Sequence, residues 1–213
     1  MSFNVNLLLD LAMGLNLVAL GCSRLQVMIR VMALQGVVLG LMPLLIGHDL
    51  DWRMITIALA TVVGKGIVVP TLLRRAMREA HADRELTPFI GFVPSLMLGA
   101  GGTIAALAVV RSLPLLPEHA GSLLVPASLA TILTGFILLI GRAKAISQAC
   151  GYLILENGIY LFGLLLIKEM PLLVEAGVLL DITVSVFIIS IVVDHIQRVF
   201  DSLDTRNLTT LRE

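Results

Sequence analysis

Seven stretches of this chain, roughly residues 3–22, 25–47, 54–73, 88–110, 122–141, 147–167 and 172–194, are apolar over close to the 20 residues that a helix needs to cross a bilayer. Hydrocarbon offers no water to unpaired N–H and C=O groups, so a spanning segment of this length closes its hydrogen bonds within itself as a helix. Composition agrees, with 58% hydrophobic and 14% charged residues where soluble domains average about 45–50% apolar. The expected fold is therefore an all-α integral membrane protein, a bundle of about seven transmembrane helices. The first stretch has no basic flank and carries Asp10 where a secretory signal would be purely apolar, so it reads as a retained crossing.

The connections are short except for "RRAMREAHADRELT" (74–87) and "RSLPLLPEHAG" (111–121), and the polar tail 195–213 is expected outside the membrane. Lys and Arg set the orientation. With the N-terminus outside, the cytoplasmic segments hold Arg24, Arg74, Arg75, Arg78, Arg84, Arg142, Lys144, Arg198, Arg206 and Arg212, against Arg53, Arg111 and Lys168 outside. The bundle is thus expected N-out and C-in. Segments 1–3 and 5–7 are similar in length at an offset of about 120 residues, which places Gln35 opposite Glu156 in a parallel repeat. The implied division is an N-terminal three-helix unit with a basic loop (1–87), a linking helix and outer loop (88–121), and a second three-helix unit with a tail (122–213).

"GYLILENGIYLFG" (151–163) places Glu156 and Asn157 in the middle of an apolar run. An ionisable residue at mid-bilayer costs about 2.5–3.5 kcal/mol on insertion scales, and such residues usually face the bundle or a wet cavity and mark ion paths. Lys65, Glu156 and Asp181 fall near the centres of their segments and Asp10 slightly outward of the centre of the first, so several titratable groups share one depth. Two readings of this layer stand. The groups exchange protons as a relay, or Lys65 pairs with Glu156 or Asp181 and fastens helices together. Glu175, one turn into the last segment, is either an outer-side proton group or a solvated helix-end acid. Gln35 is either a hydrogen-bonded link in the relay or an interhelical contact, and Arg30 is expected to snorkel.

"VGKGIVVP" lacks the spacing of a phosphate loop. Its glycines are expected to let a neighbouring helix approach the Lys65 stem, with Pro70 freeing a carbonyl around Lys65 or Gly66. "GAGG" (99–102) reads as a close-packing face. Cys22 and Cys150 form no CxxC or Cys/His pattern, and His48, His81, His119 and His195 fall in loops or tail. No metal site, catalytic triad or cofactor loop is indicated in this chain.

"GYLILENGIYLFGLLL", "PLLVEAGVLLDITVSVFI", the tail "LDTRNLTTL" and "KGIVVP" together resemble the hydrogenase-4 component E family, membrane subunits of formate hydrogenlyase-type group 4 nickel–iron hydrogenases. More distantly, segments 5–7 resemble the small three-helix K subunit of respiratory complex I and its counterpart in Mrp-type sodium/proton antiporters. In the complex I protein two helices each carry a glutamate that serves proton translocation. Aligning "GYLILEN" puts the first of these at Leu153, with Glu156 one turn later on nearly the same face, and the second at Asp181.

The resemblance implies a non-catalytic membrane-arm subunit in a bacterial or archaeal cytoplasmic membrane. Its partners would be antiporter-like membrane subunits and a peripheral hydrogenase arm holding the nickel–iron centre and iron–sulfur clusters. The work implied is proton, or sodium, translocation coupled to hydrogen metabolism, with a proton relay of Lys65, Glu156, Asp181 and Glu175 and with Asp10, Gln35 and Asn157 as auxiliaries. The alternative is a scaffold subunit with no ion path of its own.

Overall fold

A computed structural model describes residues 3–46, 52–79, 88–112, 122–166 and 170–203. They form α1 (Phe3–Gly21), α2 (Leu25–Ile46), α3 (Trp52–Val63), a π-helical turn (Gly64–Val68), α4 (Val69–Glu79), α5 (Phe92–Ser112), α6 (Leu124–Gly141), α7 (Ala145–Gly163) with a 3₁₀ turn (Leu164–Leu166), and α8 (Pro171–Leu203). Seven spans in these helices are long and apolar enough to cross a membrane, with α3, the π turn and α4 making one crossing over Met54–Arg78. The expected seven-helix membrane bundle is the observed architecture.

Two boundaries differ from expectation. α4 runs on to Glu79, because Ala76 and Met77 are buried on the inner side while Arg74, Arg75 and Arg78 face outward. α8 continues to Leu203, into what reads in sequence as polar tail. His48, His81, His119, Arg84, Lys168 and the motif's tail from Asp204 onward lie outside the described residues, as does the His195 side chain.

Close approach of backbones holds the bundle together, as expected where lipid tails are as apolar as leucine and association depends on packing and polar contacts. The α6–α7 hairpin is the tightest case. A Cβ on Gly135 would lie 2.5 Å from the Leu155 nitrogen, and one on Gly151 2.7 Å from the Leu139 nitrogen. The "LQGVVLG" of α2 does the same toward the third crossing: a Cβ on Gly36 would meet Lys65 Cβ at 2.7 Å, and one on Gly40 would meet Val62 Cγ2 at 2.6 Å. In "GAGG", Gly99 packs toward Leu20 and Gly102 toward Leu133, whereas Gly101 has no neighbour within 4 Å.

Arg142, counted above as a cytoplasmic charge, is fully buried. Its Nη2 donates to the Leu20 carbonyl at 2.7 Å in the last turn of α1, and its guanidinium lies 4.6 Å from the centroid of the Phe92 ring. A cation at a helix C-terminus meets the negative end of the dipole and its unpaired carbonyls. Arg142 thereby clamps α1 to the α6–α7 turn instead of facing the membrane surface.

The apolar core divides into two clusters. One gathers Leu20, Met28, Met32, Leu73, Leu138, Leu153 and Ile154 at the end of the bundle that holds the α1–α2 and α6–α7 turns. The other gathers Val5, Leu9, Leu39, Met42, Ile57, Tyr160, Leu161 and Val174 at the opposite end. Each crossing except α5 contributes one half to one cluster and its other half to the second, as up-and-down connectivity requires. Buried polar residues occupy the gap between the two.

Candidate functional site: a polar layer between two apolar halves

The layer is built on an interruption of the third crossing. Pro70 has no N–H, and its ring displaces the carbonyl four residues back. Upstream of it the helix widens, and the Val69 N–H reaches the Gly64 carbonyl, five residues away. π turns of this kind recur at functional sites because they re-aim side chains, and Lys65 is the residue carried by this one. The flanking glycines serve as expected. A Cβ on Gly64 would lie 2.9 Å from Ile182 of α8, and one on Gly66 would lie 2.7 Å from Val37 of α2. Both neighbours are thereby admitted to the lysine stem.

From Lys65 a continuous set of contacts crosses the bundle. Its ammonium forms an ion pair with Asp181 of α8 and donates to Asn157 Oδ1 at 2.9 Å. Asn157 Nδ2 donates to Gln35 Oε1 at 3.2 Å, Gln35 Nε2 to Asn16 Oδ1 at 2.9 Å, and Asn16 Nδ2 to Thr131 Oγ1 at 2.8 Å. The Thr131 hydroxyl in turn donates to the Ala127 carbonyl at 2.7 Å. The Lys65 Nζ also lies 5.5 Å from the centroid of the Tyr160 ring. Six of the seven crossings, all but α5, are joined in this way, and the links to Asp181, to Asn157 and to Thr131 run between residues 1–79 and 122–203.

Glu156 branches from the layer. It is buried, and its Oε2 accepts from Ser185 Oγ at 2.8 Å. With Tyr152, Tyr160 and Asp181 it lines a cavity of about 290 Å³ between α7 and α8. The cavity runs toward Gly163, Leu166 and Leu173, at the end of the bundle where α8 begins. Its walls are otherwise apolar, and Ile159, Leu173 and Leu180 on its rim are exposed. Asp181 Oδ1 is buried there without a hydrogen-bond donor. On the other side of Lys65 and Asn157, toward Met32, Val69 and Leu153, the free volume is only about 10 Å³.

Of the residues singled out in sequence, Lys65, Asp181, Asn157, Gln35 and Glu156 come together. Glu175 does not join them: its carboxyl lines a separate cavity of about 130 Å³ with Trp52, Thr56 and Ile57, and the two cavities have Val178 in common. Asp10 is exposed on the outer face of α1. The α1 member of the layer is Asn16 instead, and Thr131, Ser185 and the two tyrosines were also not anticipated. Three of these were signalled by spacing: Tyr152 precedes and Tyr160 follows Glu156, and Ser185 follows Asp181, by four residues, one turn along the same helix face.

The chain is 34% identical over 216 residues to the uncharacterized protein Rv0085 of Mycobacterium tuberculosis, an alignment covering 99% of this chain and 98% of that protein. It is 29% identical over 154 residues to hydrogenase-4 component E of Escherichia coli, covering 70% of this chain and 69% of that protein, and equally to hydrogenase-4 component E of Shigella flexneri. No protein-family model and no solved structure matches it. This chain, with seven spans long and apolar enough to cross a membrane and a distant relation to hydrogenase-4 component E, therefore belongs, at that identity and near-complete coverage, to the family of the Mycobacterium tuberculosis protein Rv0085.

Proposed function

We propose that this chain is a membrane-arm subunit of a formate hydrogenlyase-like, group 4 hydrogenase complex and that its buried acids take part in proton movement coupled to hydrogen chemistry. The observation that carries the reading is the juxtaposition of Glu156 and Asp181 in one cavity, beside an ammonium held by a π turn. The distant relation to hydrogenase-4 component E supports the assignment to such a complex. In this reading the redox centres, nickel–iron and iron–sulfur, belong to partner subunits in a peripheral arm. The chain lies in the cytoplasmic membrane with its N-terminus outside. The exposed Arg24, Arg74, Arg75 and Arg78 then fall on the cytoplasmic side, in keeping with the distribution of basic residues in membrane proteins.

The chemistry follows from the geometry. A proton on Glu156 supplies the donor that Asp181 Oδ1 lacks, so one proton can serve both carboxyls. The Lys65 ammonium, shared between Asp181 and Asn157, sets how strongly Asp181 competes for that proton. Glu175, in the adjoining cavity, is the outer-side exchange group. The test is hydrogenase-coupled proton movement in inverted membrane vesicles, comparing wild type with Glu156→Gln and Asp181→Asn in complexes shown by co-purification to assemble. Loss of proton movement with retained hydrogenase turnover is expected. Unchanged movement in both variants would refute the relay.

A scaffold function is the second reading, favoured by the run from Asn157 through Gln35 and Asn16 to Thr131. Amides and a hydroxyl that already satisfy one another make interhelical fastenings and are poor proton carriers. On that reading the same variants either leave proton movement intact or prevent assembly.

A further inference from the structure

We infer that the outward face of α1 seats a transmembrane helix of a neighbouring subunit, one that presents a lysine or arginine to Asp10. The inference rests on the chain being part of a membrane complex, as proposed above. Val5, Leu9, Ala12, Asn16 and Ala19 are buried along the inner face of α1. Leu7, Asp10, Leu11, Gly14 and Val18 recur at helical spacing on the opposite face and are exposed. An outward stripe on a membrane helix meets either lipid tails or another helix.

Asp10 decides between them. The span of α1 is Asn4–Gly21, which places Asp10 about 9 Å inside it and about 4 Å from its middle. Its side chain is too short to reach the interface as a lysine or arginine would. No hydrogen bond or ion pair engages it among the described residues. Carboxyls at such depth face a bundle interior, a wet cavity or a partner, and Asp10 is on the outside of its own bundle.

Gly14, one turn along, has nothing within 4 Å of where a Cβ would stand. The α1 backbone is therefore open to close approach beside the acid, the arrangement that favours helix association in lipid. A second copy of this chain is the wrong occupant, since a two-fold contact on this face would set Asp10 against Asp10. A basic side chain fits the charge, and its methylene stem can lie along Leu7 or Leu11 while its head reaches the carboxylate.

The experiment places a photo-crosslinking residue at Leu11 or Val18, with Ile104 on the exposed face of α5 as reference, in the full chain in native membranes. Adducts are identified by mass spectrometry. The expected result is a protein adduct from Leu11 and Val18 that maps to a Lys- or Arg-bearing transmembrane helix of another polypeptide. Its yield should fall about tenfold in an Asp10→Leu background, as loss of a strong interhelical polar contact implies. Asp10→Leu replaces an outward carboxyl with an apolar group, so the chain itself stays folded, which its thermal midpoint checks.

Lipid adducts alone, a second copy of this chain, a partner helix without a basic residue, or a yield indifferent to Asp10→Leu would each overturn the inference. Co-purification separates it from the functional proposal. Hydrogenase subunits retained with only lipid adducts at Leu11 overturn the docking face and leave the function standing. A basic partner helix at Leu11 in a complex without hydrogenase subunits upholds the docking face and overturns the function.

Discussion

Removing one member of the Lys65–Asp181 pair should destabilise the bundle far more than removing both. The two side chains are 6% and 12% exposed, and only Asp181 borders space for water, so neither charge regains bulk hydration when its partner is lost. Lys65→Met strands the Asp181 carboxylate. One-sided breakage of a buried pair costs about 3–5 kcal/mol, and the lost bond to Asn157 adds about 0.6 kcal/mol, the average for an interhelical hydrogen bond in membranes. Asp181→Leu strands the ammonium instead, which keeps Asn157 and the Tyr160 ring and should cost an amount near the lower end of the same range. In the Lys65→Met/Asp181→Leu double variant no charge is stranded and only Asn157 Oδ1 loses its donor, for about 1–2 kcal/mol. The double variant should therefore fall at least about 3 kcal/mol short of the sum of the singles. Equilibrium unfolding of the purified chain in mixed micelles, followed by far-ultraviolet circular dichroism, measures the cycle. Additivity within about 0.5 kcal/mol, or single variants each costing less than about 1 kcal/mol, would refute the claim that this pair is desolvated and mutually dependent.

Other perturbations sort the packing. Gly135→Ala drives a Cβ into the Leu155 backbone at 2.5 Å and should lower the thermal midpoint of the chain in detergent by several degrees, whereas Gly14→Ala, with open space around it, should leave the midpoint unchanged. Arg142→Met removes the donor to the Leu20 carbonyl and should cost about 3 kcal/mol. Arg142→Lys keeps the charge but loses the planar fork and should recover only part of that cost, again read by unfolding in micelles.

The helices were legible because their signal is one-dimensional: twenty apolar residues need no partner to be recognised. The depth of Lys65, Glu156 and Asp181 was legible for the same reason, being a count along each segment. Which way a residue faces is harder, because a membrane helix is apolar all round and periodicity no longer separates inside from outside. Asp10 and Asn16 show the difficulty, six residues apart in one helix, one outward and the other at the centre of the layer. The partner of Lys65 was open between two acids in sequence, and it was fixed by the π turn, which rotates the lysine toward α8. That turn was foreshadowed only as a carbonyl freed by Pro70. Arg142 was misread because its position just after a span is where surface charges normally fall. Its role depends on the C-terminal turn of α1 arriving beside it, a contact 122 residues away in sequence.

The layer is asymmetric, and the asymmetry bears on what the chain can do by itself. On the side where α8 begins, Glu156 and Asp181 open into about 290 Å³, room for several waters at about 30 Å³ each. On the other side the space beside Lys65 and Asn157 is about 10 Å³, at or below what a single water needs. Beyond it the packing is the cluster of Met28, Met32, Leu73, Leu138 and Ile154. A proton reaching Glu156 from the open side therefore meets apolar side chains ahead and the exposed rim of Ile159, Leu173 and Leu180 to the side, so its route onward is lateral, across the chain's own boundary. The purified chain in liposomes should accordingly leave proton flux under an imposed potential at the protein-free level, as read by an entrapped pH dye, even if the assembled complex moves protons through Glu156. A flux above that level that Glu156→Gln abolishes would show that a path traverses this bundle alone, and the apolar half would then have to open in a way its close packing argues against.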